Sequence, residues 1–241
     1  MLPPRIAYNE GRMIRLRLFR IPVAVAPSLW AALAAAALLF GSRSVADVLI
    51  FMAASLLCLL LHELGHALVG RALGGGHPVI LLSAAGCGCL HADARLSRTG
   101  SIITSLAGPL AGLLPALLAL LLMAGGEADV LRRASEVLCG RDPALSGAAG
   151  QGIACAVGDI LLPVSFWWSL FNLLPVIPLD GGRLLAEVLR SPALAQRISR
   201  AASCTLALAL LFTKLWPFSL LLVCLAFSCR KRQGAERRQA G

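Results

Sequence analysis

The chain has 241 residues, 58% of them hydrophobic and only 14% charged, with 22 Lys and Arg against 12 Asp and Glu. Soluble globular chains average about 45–50% apolar and about 25% charged residues, so the composition excludes an ordinary water-soluble domain. The apolar residues come in long runs, and a bilayer-spanning helix needs roughly 20 of them in succession.

In chain order, residues 1–20 form a basic segment carrying Arg5, Arg12, Arg15, Arg17 and Arg20. Residues 21–40 (IPVAVAPSLWAALAAAALLF) are a first expected span. It is read as an anchor rather than a cleaved signal, because the apolar run exceeds a usual signal core and no A-x-A site follows. A second span covers 45–70, and a mixed loop at 71–100 contains two short β-like runs, 79–83 and 88–95. The third span is 101–123 and the fourth is 152–174, separated by a polar, Gly-rich stretch. A Pro/Gly-broken segment and a short basic helix follow, to about 200. Residues 201–229 are apolar but interrupted by Lys214, Trp216 and Pro217, which predicts two short spans, 201–213 and 215–229. Residues 230–241 are a basic tail. The expectation is an all-α polytopic membrane protein of about six transmembrane helices, with one transmembrane domain over 21–229.

Orientation follows from the basic residues, because cytoplasmic loops hold the excess of Lys and Arg. With six spans and both termini inside, the cytoplasmic segments hold every Lys and Arg except Arg43, Arg132, Arg133, Arg141 and Lys214. The high pI of about 10 then reflects membrane topology. A nucleic-acid partner is not expected, since the charge is divided among loops rather than gathered in one patch.

The second span ends in SLLCLLLHELGHALVG, which sets His62, Glu63 and His66 in an apolar helix. Residues four apart share a helix face, so His62 and His66 can hold one metal ion. Glu63, beside the first histidine, can reach a water on that metal. This is the H-E-x-x-H arrangement of zinc peptidases, with the glutamate as general base. A lone histidine on an apolar face is usually a hydrogen-bonded core residue. A carboxylate at the bilayer centre, however, costs roughly 2.5–3.5 kcal/mol on insertion scales, and three polar groups at ligand spacing argue against accident. Counted from Val45 at 1.5 Å per residue, His62 falls ~26 Å along the helix, within the membrane and toward its cytoplasmic side.

A catalytic zinc site usually has three protein ligands and an open fourth position. The best source of the third is FNLLPVIPLDGGRLL, residues 171–185, where Pro175 and Pro178 break a helical pattern ahead of Asp180. Broken backbone at membrane depth is tolerated only when buried in protein or lining a wet cavity. The segment returns at the cytoplasmic end of the fourth span, level with the end of the second. Taken alone, D-G-G is an ordinary turn at a helix end.

HELGH in one span with N-x-x-P-x-x-P-L-D-G-G at the end of another resembles the site-2 protease family of intramembrane zinc metalloproteases. The subgroup it most resembles is the sporulation type that processes a pro-sigma factor. The resemblance implies one Zn2+ per chain held by His62, His66 and Asp180, with Glu63 as catalytic base. It implies that Asn172 contacts the substrate backbone or the transition state; capping broken backbone is its bland alternative. It also implies a small membrane-associated β-hairpin or sheet between the second and third spans, whose edge pairs with an unwound substrate by strand addition. AGPLAG at 107–112 resembles a family segment, but Gly112 stands where that segment often has asparagine, so Gly108 and Pro109 are read as packing and kink residues. Gly65, Gly181 and Gly182 are read as leaving room for water.

The implied function is hydrolysis of a peptide bond in or near a transmembrane segment of a membrane-tethered regulatory protein, in a bacterial inner membrane. Regulatory membrane proteins are expected partners besides the bilayer. One alternative is an HtpX-like quality-control peptidase, which would take a glutamate as third ligand, with Glu187 the nearest. The other is a catalytically idle scaffold. His77 and His91 are read as interfacial, the cysteines as small hydrophobes, and a Cys139–Cys155 bridge is left open.

Overall fold

The computed structural model describes residues 13–40, 44–84, 86–92, 96–124, 130–139 and 153–211. The expected span at 215–229, the tail at 230–241 and most of the basic segment at 1–20 lie outside them.

The stretch expected as the first span is divided. Strand β1 (Ile14–Leu18) turns through Phe19 and Arg20, both at positive φ, into β2 (Ile21–Val25). Ile21, Val23 and Val25 are buried and alternate with outward Pro22 and Ala24. That period-two pattern of β-branched residues favours a strand over a helix. Pro27 then opens α1 (Pro27–Leu39) at its first turn, where a missing N–H costs nothing. At 13 residues, α1 rises only ~20 Å, short of a ~30 Å hydrocarbon core.

Helix α2 (Val45–Ala72) begins at a capping box. The Ser44 hydroxyl accepts from Asp47 N at 3.0 Å, and Ser44 N donates to Asp47 Oδ2 at 3.1 Å. Strands β3 (His77–Ser83) and β4 (Gly86–Ala92) form a hairpin close to the two expected β-like runs. The sheet is larger than expected, with order β1-β2-β3-β4 and β2 parallel to β3. β4 is therefore an edge strand. The buried face of β2 and β3 packs on Leu29 and Leu33 of α1 and on Leu59, Leu64 and Ala67 of α2.

Helices α3 (Arg98–Gly112) and α4 (Leu114–Ala124) follow each other with one turn residue between them, and α5 (Val130–Leu138) is amphipathic. Helix α6 (Ile153–Asn172) lies within the residues 152–174 expected as the fourth span. A second core joins Cys58 of α2, Ala116, Ala119 and Met123 of α4, and Leu161 and Leu162 of α6. After the proline-broken segment come α7 (Asp180–Leu189) and α8 (Pro192–Leu211). The predicted basic helix and the start of the fifth span are one helix, because nothing between Arg197 and Thr205 breaks helical hydrogen bonding.

Two helical stretches among the described residues are long and apolar enough to cross a membrane, Val45–Ala72 and Arg98–Ala124. In their most apolar windows only 28% and 39% of residues are buried. Apolar side chains such as Leu49, Leu110, Leu117 and Leu121 are more than half exposed.

Candidate active site

Helix α2 sets His62 and His66 one turn apart on the face that meets α3 and α7. The first residue of α7 supplies the third group, and the backbone before it sets its position. The chain leaves α6 in two tight turns, with Leu173 N and Leu174 N donating to Leu170 O and Phe171 O. Val176 is fully buried, and Ile177 N donates to Ser199 Oγ of α8 at 2.8 Å. Asp180 then stands at the first position of α7. This return requires glycine at two places. A Cβ at Gly181 would collide with the Leu173 and Leu174 carbonyls, and one at Gly182 would come 2.5 Å from Val176 C and Ile177 N. Their missing side chains are thus filled by backbone and do not leave room for water. Gly65 behaves alike: a Cβ there would meet Ala107 O at 2.5 Å and Ala111 Cβ at 2.7 Å, so it sets the close crossing of α2 on α3.

The three polar groups converge. His62 Nε2 lies 3.0 Å from Asp180 Oδ2, His66 Nε2 lies 3.1 Å from the same oxygen, and the two Nε2 atoms are 3.1 Å apart. All three residues are buried. His66 Nδ1 lies 2.7 Å from Thr104 O. A carbonyl only accepts, so Nδ1 carries the proton and Nε2 of the neutral ring presents a lone pair. That lone pair faces a carboxylate oxygen, also an acceptor. With that ring neutral, two acceptors face each other across the cluster, an arrangement that one cation satisfies. Atoms bound to zinc at about 2.0–2.2 Å in tetrahedral geometry lie roughly 3.3 Å apart, close to the spacing seen. The residues therefore fit a zinc ion.

Glu63 is buried next to His62, and its Oε2 has no hydrogen-bond partner among the described residues. An unsatisfied buried carboxylate oxygen is costly, which marks Glu63 as more than a packing residue. Strand β4, which carries Cys87 and Cys89, packs against α2. Burial pushes the Cys87 thiol up to about 11 and the Cys89 thiol up to about 12. A cavity of about 320 Å³ runs from His66 past Cys89, Thr104, Ser101, Arg183 and Glu187.

A family model described as Peptidase M50B-like matches residues 25–138. That range contains His62, Glu63 and His66 and ends before Asp180. No curated protein matches the chain. Among solved structures, the site-2 protease from Methanocaldococcus jannaschii is similar at 20% identity and a TM-score of 0.55, covering 91% of this chain and 94% of that one. The chain shares its fold.

Other expected residues fall as follows. Glu187, the rival third ligand, sits at the far end of α7, where its Oε1 accepts from Ser101 Oγ at 3.0 Å. It is not in the histidine cluster. The Asn172 amide donates to Trp168 O of its own helix at 2.9 Å. His77 is exposed. Cys139 is an exposed free thiol, and the side chains of Cys155 and His91 lie outside the described residues.

Sequence reading missed the part played by Gly108. A Cβ there would collide with His66 Nε2, the atom that faces Asp180. Gly108 is therefore a wall of the candidate site and not merely a packing residue. The available signal was its place in AGPLAG, four residues after Thr104; what it abuts is visible only once α3 lies against α2.

Proposed function

We propose that the chain is an intramembrane zinc metalloprotease that cleaves a peptide bond in or near a transmembrane segment of a membrane-tethered regulatory protein. The observation that carries this reading is the convergence of His62 Nε2, His66 Nε2 and Asp180 Oδ2 within 3.1 Å of one another, beside a buried glutamate with one oxygen unpartnered among the described residues. The family match, the shared fold and the apolar, largely unburied helices support it.

His62, His66 and Asp180 would hold the ion. Zinc, when bound, supplies Lewis acidity to water and to the scissile carbonyl. Glu63 accepts the proton from the attacking water and returns it to the leaving amine. The Thr104 carbonyl keeps His66 in the tautomer with a free Nε2. The edge of β4 accepts an extended substrate segment as an added strand. This solves the problem that a helical peptide hides its carbonyls in internal hydrogen bonds. Asn172 is read as a substrate contact through the part of its amide not used by Trp168 O. Exit of product toward the cytoplasm suits release of a regulator; a sporulation setting and regulatory membrane partners belong to this reading.

The test compares membrane-tethered regulators in cells carrying the native chain and Glu63→Gln. General-base loss costs roughly 10²–10⁴-fold, so uncleaved substrate should accumulate in the variant with its zinc retained. Full biological effect in Glu63→Gln would favour the scaffold reading instead.

A further inference from the structure

The two histidines of the candidate metal site are not equally supported. His66 Nδ1 has Thr104 O at 2.7 Å. His62 Nδ1 is buried and has no partner among the described residues. If Nε2 of His62 binds a metal, Nδ1 must carry the ring proton, and a buried N–H without an acceptor is costly. Metal-bound histidines almost always give that proton to an outer oxygen. The site therefore lacks one acceptor.

The oxygen is present nearby. Helix α6 places Ser165 and Ser169 one turn apart, both fully buried. Ser165 is committed, with its hydroxyl donating to Gly112 O at 2.5 Å. The Ser169 hydroxyl has no partner among the described residues. This hydroxyl and His62 Nδ1 both lie beside the side-chain position of Gly112. A Cβ built on Gly112 would meet Ser169 Oγ at 2.6 Å and His62 Nδ1 at 3.4 Å. Two buried polar atoms without a partner among the described residues, one needing an acceptor when metal binds and one able to accept, thus both face the position of a Gly112 Cβ, which would overlap the hydroxyl oxygen.

We infer that Ser169 is a positioning residue for His62, its hydroxyl accepting the Nδ1 proton in the metal-loaded protein, and that Gly112 is glycine to let that hydroxyl approach. This rests on the zinc site proposed above. The Ser169 hydrogen atom turns away from the ring, so that Oγ offers a lone pair to Nδ1–H. The ring is then held with Nε2 toward His66 and Asp180. Gly112, which stands in place of a polar residue in the motif, is in this view a spacer for a polar group supplied by the neighbouring helix.

The experiment measures zinc affinity of the purified full chain by chelator competition, the visible spectrum of its Co2+ form and the melting temperature without metal. Wild type should bind one zinc, lost in His62→Ala. Ser169→Ala should bind it about 10–100-fold more weakly, the usual effect of removing an outer partner, with an altered Co2+ spectrum. Ser169→Thr, which keeps the hydroxyl, should restore affinity. Gly112→Ala should weaken binding with Ser169 intact, and Ser203→Ala, another fully buried serine on a different helix, should leave it unchanged. Wild-type affinity and spectrum in Ser169→Ala would overturn the inference while leaving the zinc site standing. A lowered metal-free melting temperature with unchanged affinity would reduce Ser169 to a packing residue and overturn it equally. If the wild type binds no zinc that depends on His62, the site reading itself fails and takes the inference with it.

Discussion

A buried carboxylate that two histidines approach within 3.1 Å separates the ligand assignments at the level of single side chains. Asp180→Asn should abolish stoichiometric zinc binding, while Glu187→Gln should retain it, as measured by metal analysis of purified protein. Glu187 is engaged by Ser101, so its loss should affect the packing of α7 on α3 and not the ion. The opposite pattern would revive the glutamate-ligand alternative. The thiols of β4 give a pH test. The nucleophile is the thiolate, and Cys87 and Cys89 are raised to about 11 and about 12 by burial. Raised values mean less thiolate at neutral pH. Alkylation of both by iodoacetamide should therefore be slow at pH 7 and rise about tenfold per pH unit through pH 10, as followed by mass spectrometry. Fast, pH-independent labelling at Cys89 would show that β4 does not bury it.

Among the elements, the proline-broken link between α6 and α7 carries the most consequence. Pro175 and Pro178 deny helical hydrogen bonds, and Gly181 and Gly182 let α7 start directly beneath the turn. Gly182→Ala should displace the first turn of α7. Such overpacking against backbone usually costs about 1–3 kcal/mol. Zinc affinity should fall with the metal-free melting temperature, in contrast to the Ser169→Ala pattern. Unchanged affinity would mean that Asp180 is held by α8 through Ser199 rather than by this turn. The four-stranded sheet is the element read least well. Its hairpin β3–β4 had a visible period, but β1 and β2 did not register as strands. Their apolar residues merge with those of α1 into one 20-residue run that satisfies a window average, and the alternation at Ile21, Val23 and Val25 is only three residues long.

For the whole molecule, the distribution of arginine and lysine predicts that residues 1–20, 71–100, 181–200 and 230–241 share one side of the membrane, with Lys214 on the other. Single-cysteine labelling with an impermeant reagent in intact cells, on a cysteine-free background, checks this. Labels at 98 and 235 should be protected and one at 214 accessible. Accessibility of 235 with protection of 214 would replace the terminal hairpin by a single span. The division of residues 21–40 also bears on topology. With α1 only 13 residues long, the sheet occupies the rest of the length beside α2.

The pairing of HELGH with LDGG was legible in the linear chain, because helical periodicity makes a four-residue spacing into a shared face and because polar groups in an apolar run must have a reason to be there. So was the helical character of 45–72 and of 153–172. The sequence by itself could not decide what lies beside each group. That Thr104 O holds one imidazole, that Ser169 and the other imidazole share the space beside Gly112, and that Gly108 is a wall of the site are settled by how α3 and α6 pack on α2. Contacts between helices depend on rotation and crossing distance, which vary continuously and leave no period in the sequence; only the folded arrangement selects among them.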